Sequence, residues 1–311
     1  MSRDALIFYS DFDDPKAWRE TLVAELPDLD FRTDPDAGDP ADVQYALVWK
    51  PPPGFFGRFP NLKLVTNLGA GVDSLVDRED LPDVAISRLS DSGMVSLMTS
   101  YVLFSVIRYA RDIHLFERAQ RRGEWQYVHP RALSDITVGV LGLGELGAPA
   151  ARALAALGFD VRGWSRSLKE IDGVTCRAGL HTLDSVLAES EILVIMLPLT
   201  AETDSLLDAR RLALMPRGAK LINAARGAVV EEAALIAALQ SGQIAEATLD
   251  VFTIEPLPSG HPFWRMENVL ITPHLASITV PKSAAREVAE SIRRVRAGLA
   301  PLHLVNARRG Y

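Results

Sequence analysis

The chain has 311 residues, 48% of them hydrophobic and 23% charged, which is ordinary for a globular protein and long enough for two domains. A formal net charge of −7 argues against nucleic acid or an anionic membrane surface as partner. A single cysteine, Cys176, excludes an intrachain disulfide, and with no C-x-x-C for a metal the chain fits a reducing cytoplasm.

The apolar run near the N-terminus, Ala5 to Tyr9, is too short and too soon followed by acid for a signal peptide, and no later apolar run is expected to span a membrane. Residues 5–9 read as a buried strand, 15–26 as a helix with Pro15 near its start, and 45–49 as another strand. Strand and helix thus alternate up to about Ser90, ahead of any glycine fingerprint, which implies a separate α/β domain. A further strand over 61–68 runs into Gly69-Ala70-Gly71-Val72-Asp73. Small residues there let consecutive backbone N–H groups face one way as a nest for an anion, although a plain turn accounts for them equally well. Asp91-Ser92-Gly93 then opens a helical pattern over 95–121, the crossing between domains, and Trp125 follows in an aromatic arm without a core of its own, expected to pack on another subunit.

From Asp135 to Arg166 the pattern is strand, turn, helix, strand, and the turn is Gly142-Leu143-Gly144-Glu145-Leu146-Gly147. In that setting G-x-G-x-x-G marks a dinucleotide site: Gly142 permits the tight turn, Gly144 lets backbone approach a diphosphate, and Gly147 lets helix and strand pack closely. The diphosphate would sit on the N–H groups at the start of the helix near Glu145 and Leu146. An NAD site usually carries an acid at the end of the second strand. Here Ser165, Arg166 and Ser167 stand there instead, a guanidinium between two hydroxyls, so the expected cofactor is NADP(H).

Alternation resumes with strands over 191–197, 219–222, 247–251 and 269–271 and helices over 182–188, 204–212 and 231–240; a last helix covers 281–297. Six or so strands with interposed helices describe a doubly wound sheet, whose ligands lie beyond the carboxyl ends of the strands. Those ends carry polar or small residues: Leu197-Pro198, Asn223-Ala224-Ala225-Arg226-Gly227, Asp250 and Thr272-Pro273-His274. No histidine has metal-ligand spacing, and no metal is expected.

Taken together, Gly69–Asp73, the Gly142 fingerprint, Leu197-Pro198-Leu199-Thr200, Asn223–Gly227, the run from Leu249 through Glu255-Pro256-Leu257, and Asn268-Val269 with Thr272-Pro273-His274 resemble the D-isomer-specific 2-hydroxyacid dehydrogenases, in order and spacing over nearly the whole chain. Trp49 with Pro51-Pro52, Asp91-Ser92-Gly93-Met94, Trp164-Ser165-Arg166 and the terminal Ala307-Arg308-Arg309-Gly310-Tyr311 are similar to the glyoxylate/hydroxypyruvate reductase A branch of that family. Ser100 departs from it, standing where an acidic residue is common.

The resemblance implies an α/β chain of two Rossmann-like or flavodoxin-like domains, each with a doubly wound parallel sheet, and a cleft between them. Residues 1–92 and 281–311 would form the substrate-binding domain and 93–280 the dinucleotide-binding domain. It also implies an enzyme that reduces a small 2-oxo acid, glyoxylate or hydroxypyruvate, with NADP(H), as a cytoplasmic homodimer. In it Arg226 would clamp the carboxylate and polarise the carbonyl, His274 would donate the proton, and Glu255 would orient the imidazole, roles these side chains can fill on chemical grounds. Trp49 and the amides of Ala70 and Gly71 would bind the substrate. Leu197, Pro198, Ala224, Ala225 and Asp250 would line the cofactor side, with Asp250 near the nicotinamide carboxamide. Trp49, Met94 and Trp264 would narrow the pocket. The alternatives are a dehydrogenase for a larger or phosphorylated 2-oxo acid and a non-catalytic NADP(H)-sensing protein.

Overall fold

The computed structural model describes residues 4–76 and 78–306; the terminal Ala307–Tyr311 motif lies outside them. In chain order the first elements are β1 (Ala5–Tyr9), α1 (Pro15–Glu25), β2 (Asp30–Thr33), β3 (Val43–Val48), β4 (Leu64–Asn67) and β5 (Ala85–Arg88). Then come α2 (Ser92–Ala110), α3 (Ile113–Arg122), β6 (Thr137–Leu141), α4 (Gly147–Ala156), β7 (Asp160–Ser165) and β8 (Val174–Ala178). They are followed by α5 (Leu180–Glu189), β9 (Ile192–Ile195), α6 (Ala209–Leu214), β10 (Ala219–Asn223), α7 (Glu232–Ser241), β11 (Ile244–Leu249), β12 (Val269–Ile271) and α8 (Pro281–Arg296).

The chain divides into two compact units, one running to Met94 and resuming at Ile278, the other being Val95–Ser277. The first holds a parallel sheet in the order β2-β1-β3-β4-β5. Its central strand β3 has four consecutive buried residues at its end, as a strand covered on both faces must. Helix α1 starts cleanly because Asp14 accepts the Lys16 N–H at 2.9 Å and Pro15 needs no acceptor. It buries Trp18 and Leu22 and packs on α8, which turns Ala284, Ala285, Val288, Ala289 and Ile292 inward.

The second unit holds seven parallel strands in the order β12-β11-β10-β9-β6-β7-β8. The order reverses between β6 and β9, the switch point of a doubly wound sheet. Strands β10, β11 and β12 end in step, Asn223 beside Leu249 and Leu249 beside Ile271, so the segments that follow them emerge side by side.

Several expectations need correction. The helical pattern over 95–121 is two helices, because Asp112 takes a left-handed φ of 55° between α2 and α3. The helix placed at 204–212 begins only at Ala209, where Asp208 caps it by accepting the Arg211 N–H. Strands β2, β5 and β8 were not anticipated; they lie at or beside sheet edges, where only part of the strand is buried and the apolar pattern is diluted. Finally, α2 is long and apolar enough to cross a membrane by length and composition, contrary to the expectation of no such run. Its Met98, Val102, Val106 and Tyr109 are buried in the core of the second unit with Val138, Val140 and Val194, so that face has a partner within the fold, while Leu97, Phe104 and Ile107 of the same helix are exposed.

Candidate active site

The glycine fingerprint sits at the switch point. Gly142 has φ +102°, and a Cβ there would lie 2.5 Å from the Met196 carbonyl oxygen, so no other residue fits. A Cβ on Gly147 would fall 1.8 Å from the Gly142 oxygen, whereas one on exposed Gly144 would meet nothing within 4 Å. Regular helix begins at Gly147, yet the first helical bond runs from the Ala148 N–H to the Gly144 oxygen at 3.0 Å. The amides of Glu145, Leu146 and Gly147 therefore precede any acceptor inside the helix. An open backbone at Gly144 beside those amides is a cradle that fits a diphosphate. At the end of β7 the Ser165 hydroxyl donates to the Ser167 oxygen at 2.7 Å, and Arg166 and Ser167 are exposed at the same sheet edge.

Moving across that edge, β9 leads into Leu197 and Pro198, and the Pro198 oxygen accepts the Thr203 hydroxyl at 2.6 Å. Strand β10 leads into nearly buried Ala224 and Ala225. Asn223 braces this turn with both ends of its side chain, donating to the Arg226 oxygen at 2.9 Å and accepting the Ala225 N–H at 3.1 Å. Arg226 is extended and half-buried, its Nη1 2.8 Å from the Ala225 oxygen. A Cβ on Gly227 would lie 2.1 Å from the Phe252 carbonyl carbon, so the Arg226 turn packs directly on the loop that carries Glu255.

Beyond β11 and β12 the residues converge. His274 Nδ1 lies 2.8 Å from Glu255 Oε2, while Glu255 Oε1 accepts the Phe252 N–H at 3.1 Å. One carboxylate thus fixes the imidazole and is itself fixed by the backbone. His274 adopts φ +54°, a conformation that costs an ordinary side chain about 1 kcal/mol. Asp250, 1% exposed, holds it there: its carbonyl accepts the His274 N–H at 2.8 Å. The Asp250 carboxylate takes the Leu275 and Ala276 N–H groups, each at 2.9 Å, and the Thr272 hydroxyl at 2.6 Å. Because that hydroxyl gives its one proton to Asp250, Tyr101 must be the donor in its 2.7 Å bond to Thr272. Burial raises the Tyr101 pKa far above its ordinary value, which keeps the phenol protonated for this role.

In the first unit β4 ends at Asn67, and Gly69-Ala70-Gly71 follows. The Trp49 indole lies so close to Gly69 that a Cβ there would fall 2.5 Å from the ring. Met94 is buried beside the Thr279 hydroxyl, and Trp264, 52% exposed, donates its indole N–H to the Pro258 oxygen. Tyr101, Asn67 and Arg88 were not singled out from the sequence; Thr272 was visible only as part of Thr272-Pro273-His274. Among the described residues no group of three or more His, Cys, Asp or Glu is placed to hold a metal ion.

A parallel sheet that reverses at a glycine cradle, with an arginine and a carboxylate-backed histidine farther along the same edge, places the chain among the dinucleotide-dependent oxidoreductases of α/β fold. Residues 103–276 match the model for the "D-isomer specific 2-hydroxyacid dehydrogenase, NAD binding domain". Glyoxylate/hydroxypyruvate reductase A of Serratia proteamaculans is 42% identical over 98% of this chain and 99% of its own length. A D-isomer specific 2-hydroxyacid dehydrogenase of Xanthobacter autotrophicus Py2, solved with NADPH and MES, is 62% identical with a TM-score of 0.96, covering 99% of this chain and 100% of that one. An NADPH-dependent glyoxylate/hydroxypyruvate reductase of Sinorhizobium meliloti, solved with NADP and sulfate, is 35% identical with a TM-score of 0.93 over the same shares of the two chains. The chain belongs to the D-isomer-specific 2-hydroxyacid dehydrogenase family.

Proposed function

We propose that this protein is an NADPH-dependent reductase of small 2-oxo acids, converting glyoxylate to glycolate and hydroxypyruvate to D-glycerate. The observation that carries the reading is the His274–Glu255 pair, set at the same sheet edge as Arg226 and the glycine cradle. The named relatives, reductases of those two acids and a dehydrogenase solved with NADPH, support the choice of substrate and cofactor.

When bound, NADPH supplies the hydride. The Gly142–Gly147 cradle holds the diphosphate, and Ser165, Arg166 and Ser167 receive the 2′-phosphate, with Leu197, Pro198, Ala224 and Ala225 along the cofactor and Asp250 on its nicotinamide side. The amides of Ala70 and Gly71 receive the substrate carboxylate beside Trp49. Arg226 bridges carboxylate and keto oxygen with its planar fork and stabilises the negative charge that grows on that oxygen. His274 gives that oxygen a proton from Nε2, since Nδ1 is engaged by Glu255.

The protein is further proposed to be a cytoplasmic homodimer. Helix α2 exposes Leu97, Phe104 and Ile107 at helical spacing, and Trp125 is 99% exposed, apolar surface that a second copy would cover. Mass in solution tests the dimer. For the activity, NADPH oxidation is followed with glyoxylate, hydroxypyruvate, pyruvate, phenylpyruvate and a phosphorylated 2-oxo acid in parallel. Turnover led by the first two supports the reading; preference for a larger acid, or tight NADPH binding with no turnover, contradicts it.

A further inference from the structure

We infer that Asn67 and Arg88 are positioning residues that shape the Gly69–Gly71 turn into a receptor for a carboxylate. They are the last residues of two adjacent strands and stand opposite one another in register. Asn67 is wholly buried, and its side-chain nitrogen donates to the Gly69 oxygen at 3.1 Å and the Gly71 oxygen at 2.7 Å. That uses both protons of the amide. The intervening carbonyl, Ala70, accepts from Arg88 Nη1 at 3.1 Å.

Three successive carbonyls are therefore drawn toward one pair of strand ends. Across a trans peptide the C=O and the following N–H point in opposite directions, so the N–H groups of Ala70, Gly71 and Val72 are turned away from Asn67 and Arg88. Peptide groups left to themselves in a small-residue turn have no reason to align, and aligned N–H groups are what an anion needs. The Arg88 guanidinium adds a charge-assisted bond behind them, polarising the peptide whose N–H belongs to Gly71. The Oδ1 of Asn67 is buried with no hydrogen-bond partner among the described residues. A side chain kept only to fill space would not leave a polar atom in that state, which points to the donor end as the reason for asparagine here.

The inference rests on the proposed reading in one respect, that the anion is the carboxylate of a 2-oxo acid. Two substitutions test it in the NADPH-loaded protein: Asn67→Asp, of equal size but unable to donate to carbonyls, and Arg88→Met, with Arg88→Lys as the conservative control. The readouts are oxalate binding by calorimetry, KM and kcat for glyoxylate, and NADPH affinity. Each of the first two variants is expected to weaken oxalate binding and raise KM about tenfold, while kcat and NADPH affinity stay within about threefold and Arg88→Lys recovers most of the loss. Unchanged oxalate binding in a folded Arg88→Met, or loss of NADPH affinity in parallel with oxalate affinity, overturns the inference. Should Asn67→Asp not fold, Arg88→Met against Arg88→Lys decides alone. If wild-type protein binds oxalate and the variants do not, yet no variant or wild type turns over glyoxylate, the proposed substrate fails while the receptor stands.

Discussion

His274 Nδ1 sits 2.8 Å from Glu255 Oε2, and the second oxygen of that carboxylate is held by the Phe252 backbone amide. A ring fixed from behind in this way keeps one orientation, which the proposed proton donor needs. We predict that Glu255→Gln lowers kcat for glyoxylate about a hundredfold with little change in NADPH affinity, a general acid being worth about 10²–10⁴ in rate. His274→Asn should cost as much or more, and the double variant little beyond the worse single one, because the two act as a unit. Steady-state kinetics of the four proteins check this; additive losses would contradict it.

Tyr101, Thr272 and Asp250 form a chain of hydrogen bonds behind the same turn. Tyr101→Phe removes the donor to Thr272 and should lower kcat modestly, about threefold to tenfold, with NADPH affinity unchanged. Asp250→Asn should do more damage. It removes a buried charge that accepts two backbone N–H groups and a hydroxyl, and we expect a stability loss of about 2–3 kcal/mol on top of a fall in kcat. Denaturant titration and initial rates measure the two effects separately.

Arg166 follows directly after the second strand of the cofactor fold, with a serine on either side. Replacing it with alanine should raise KM for NADPH about ten- to a hundredfold and leave KM for NADH nearly unchanged, the signature of a lost guanidinium–phosphate bond. Equal changes for both cofactors would place Arg166 outside the site.

His114 supplies a pH test away from the chemistry. Burial lowers its pKa, partly opposed by Glu246, whose Oε1 is 3.9 Å from Nε2; Arg118 and Arg108 lie near and also lower it, and Tyr109 packs edge-on. The folded protein therefore resists a proton that the unfolded chain accepts near pH 6.5. Stability from this residue is complete above about pH 6.5 and is lost as pH falls through the lower folded-state value. Melting temperatures between about pH 7.5 and pH 5 should fall more steeply in wild type than in His114→Gln. Parallel slopes would show that His114 is not the group responsible.

How far the residues announced this site varies by element. The Gly142–Gly147 turn was legible because its glycines answer to local geometry, and Arg226, Glu255 and His274 because they lie beyond the ends of β10, β11 and β12, short strands with apolar stretches, the first two largely buried and the third partly so. Strand β8 was not, since its residues are only partly buried and carry Thr175 and Arg177 among Val174 and Cys176. The break at Asp112 carries neither glycine nor proline to mark it. Tyr101 was hidden for another reason: its partner Thr272 is 171 residues away, and no local pattern in α2 sets one polar residue apart from its neighbours. Asn67 and Arg88 are likewise joined only by strand pairing between β4 and β5, the latter itself unanticipated.

The most direct measurement is the fate of the hydride. With NADPH carrying deuterium at the transferable position and hydroxypyruvate as acceptor, wild-type protein should form D-glycerate with one deuterium on C2, and His274→Asn should form it far more slowly. Unlabelled glycerate, L-glycerate, or no reduction by a protein that binds NADPH tightly would contradict the account.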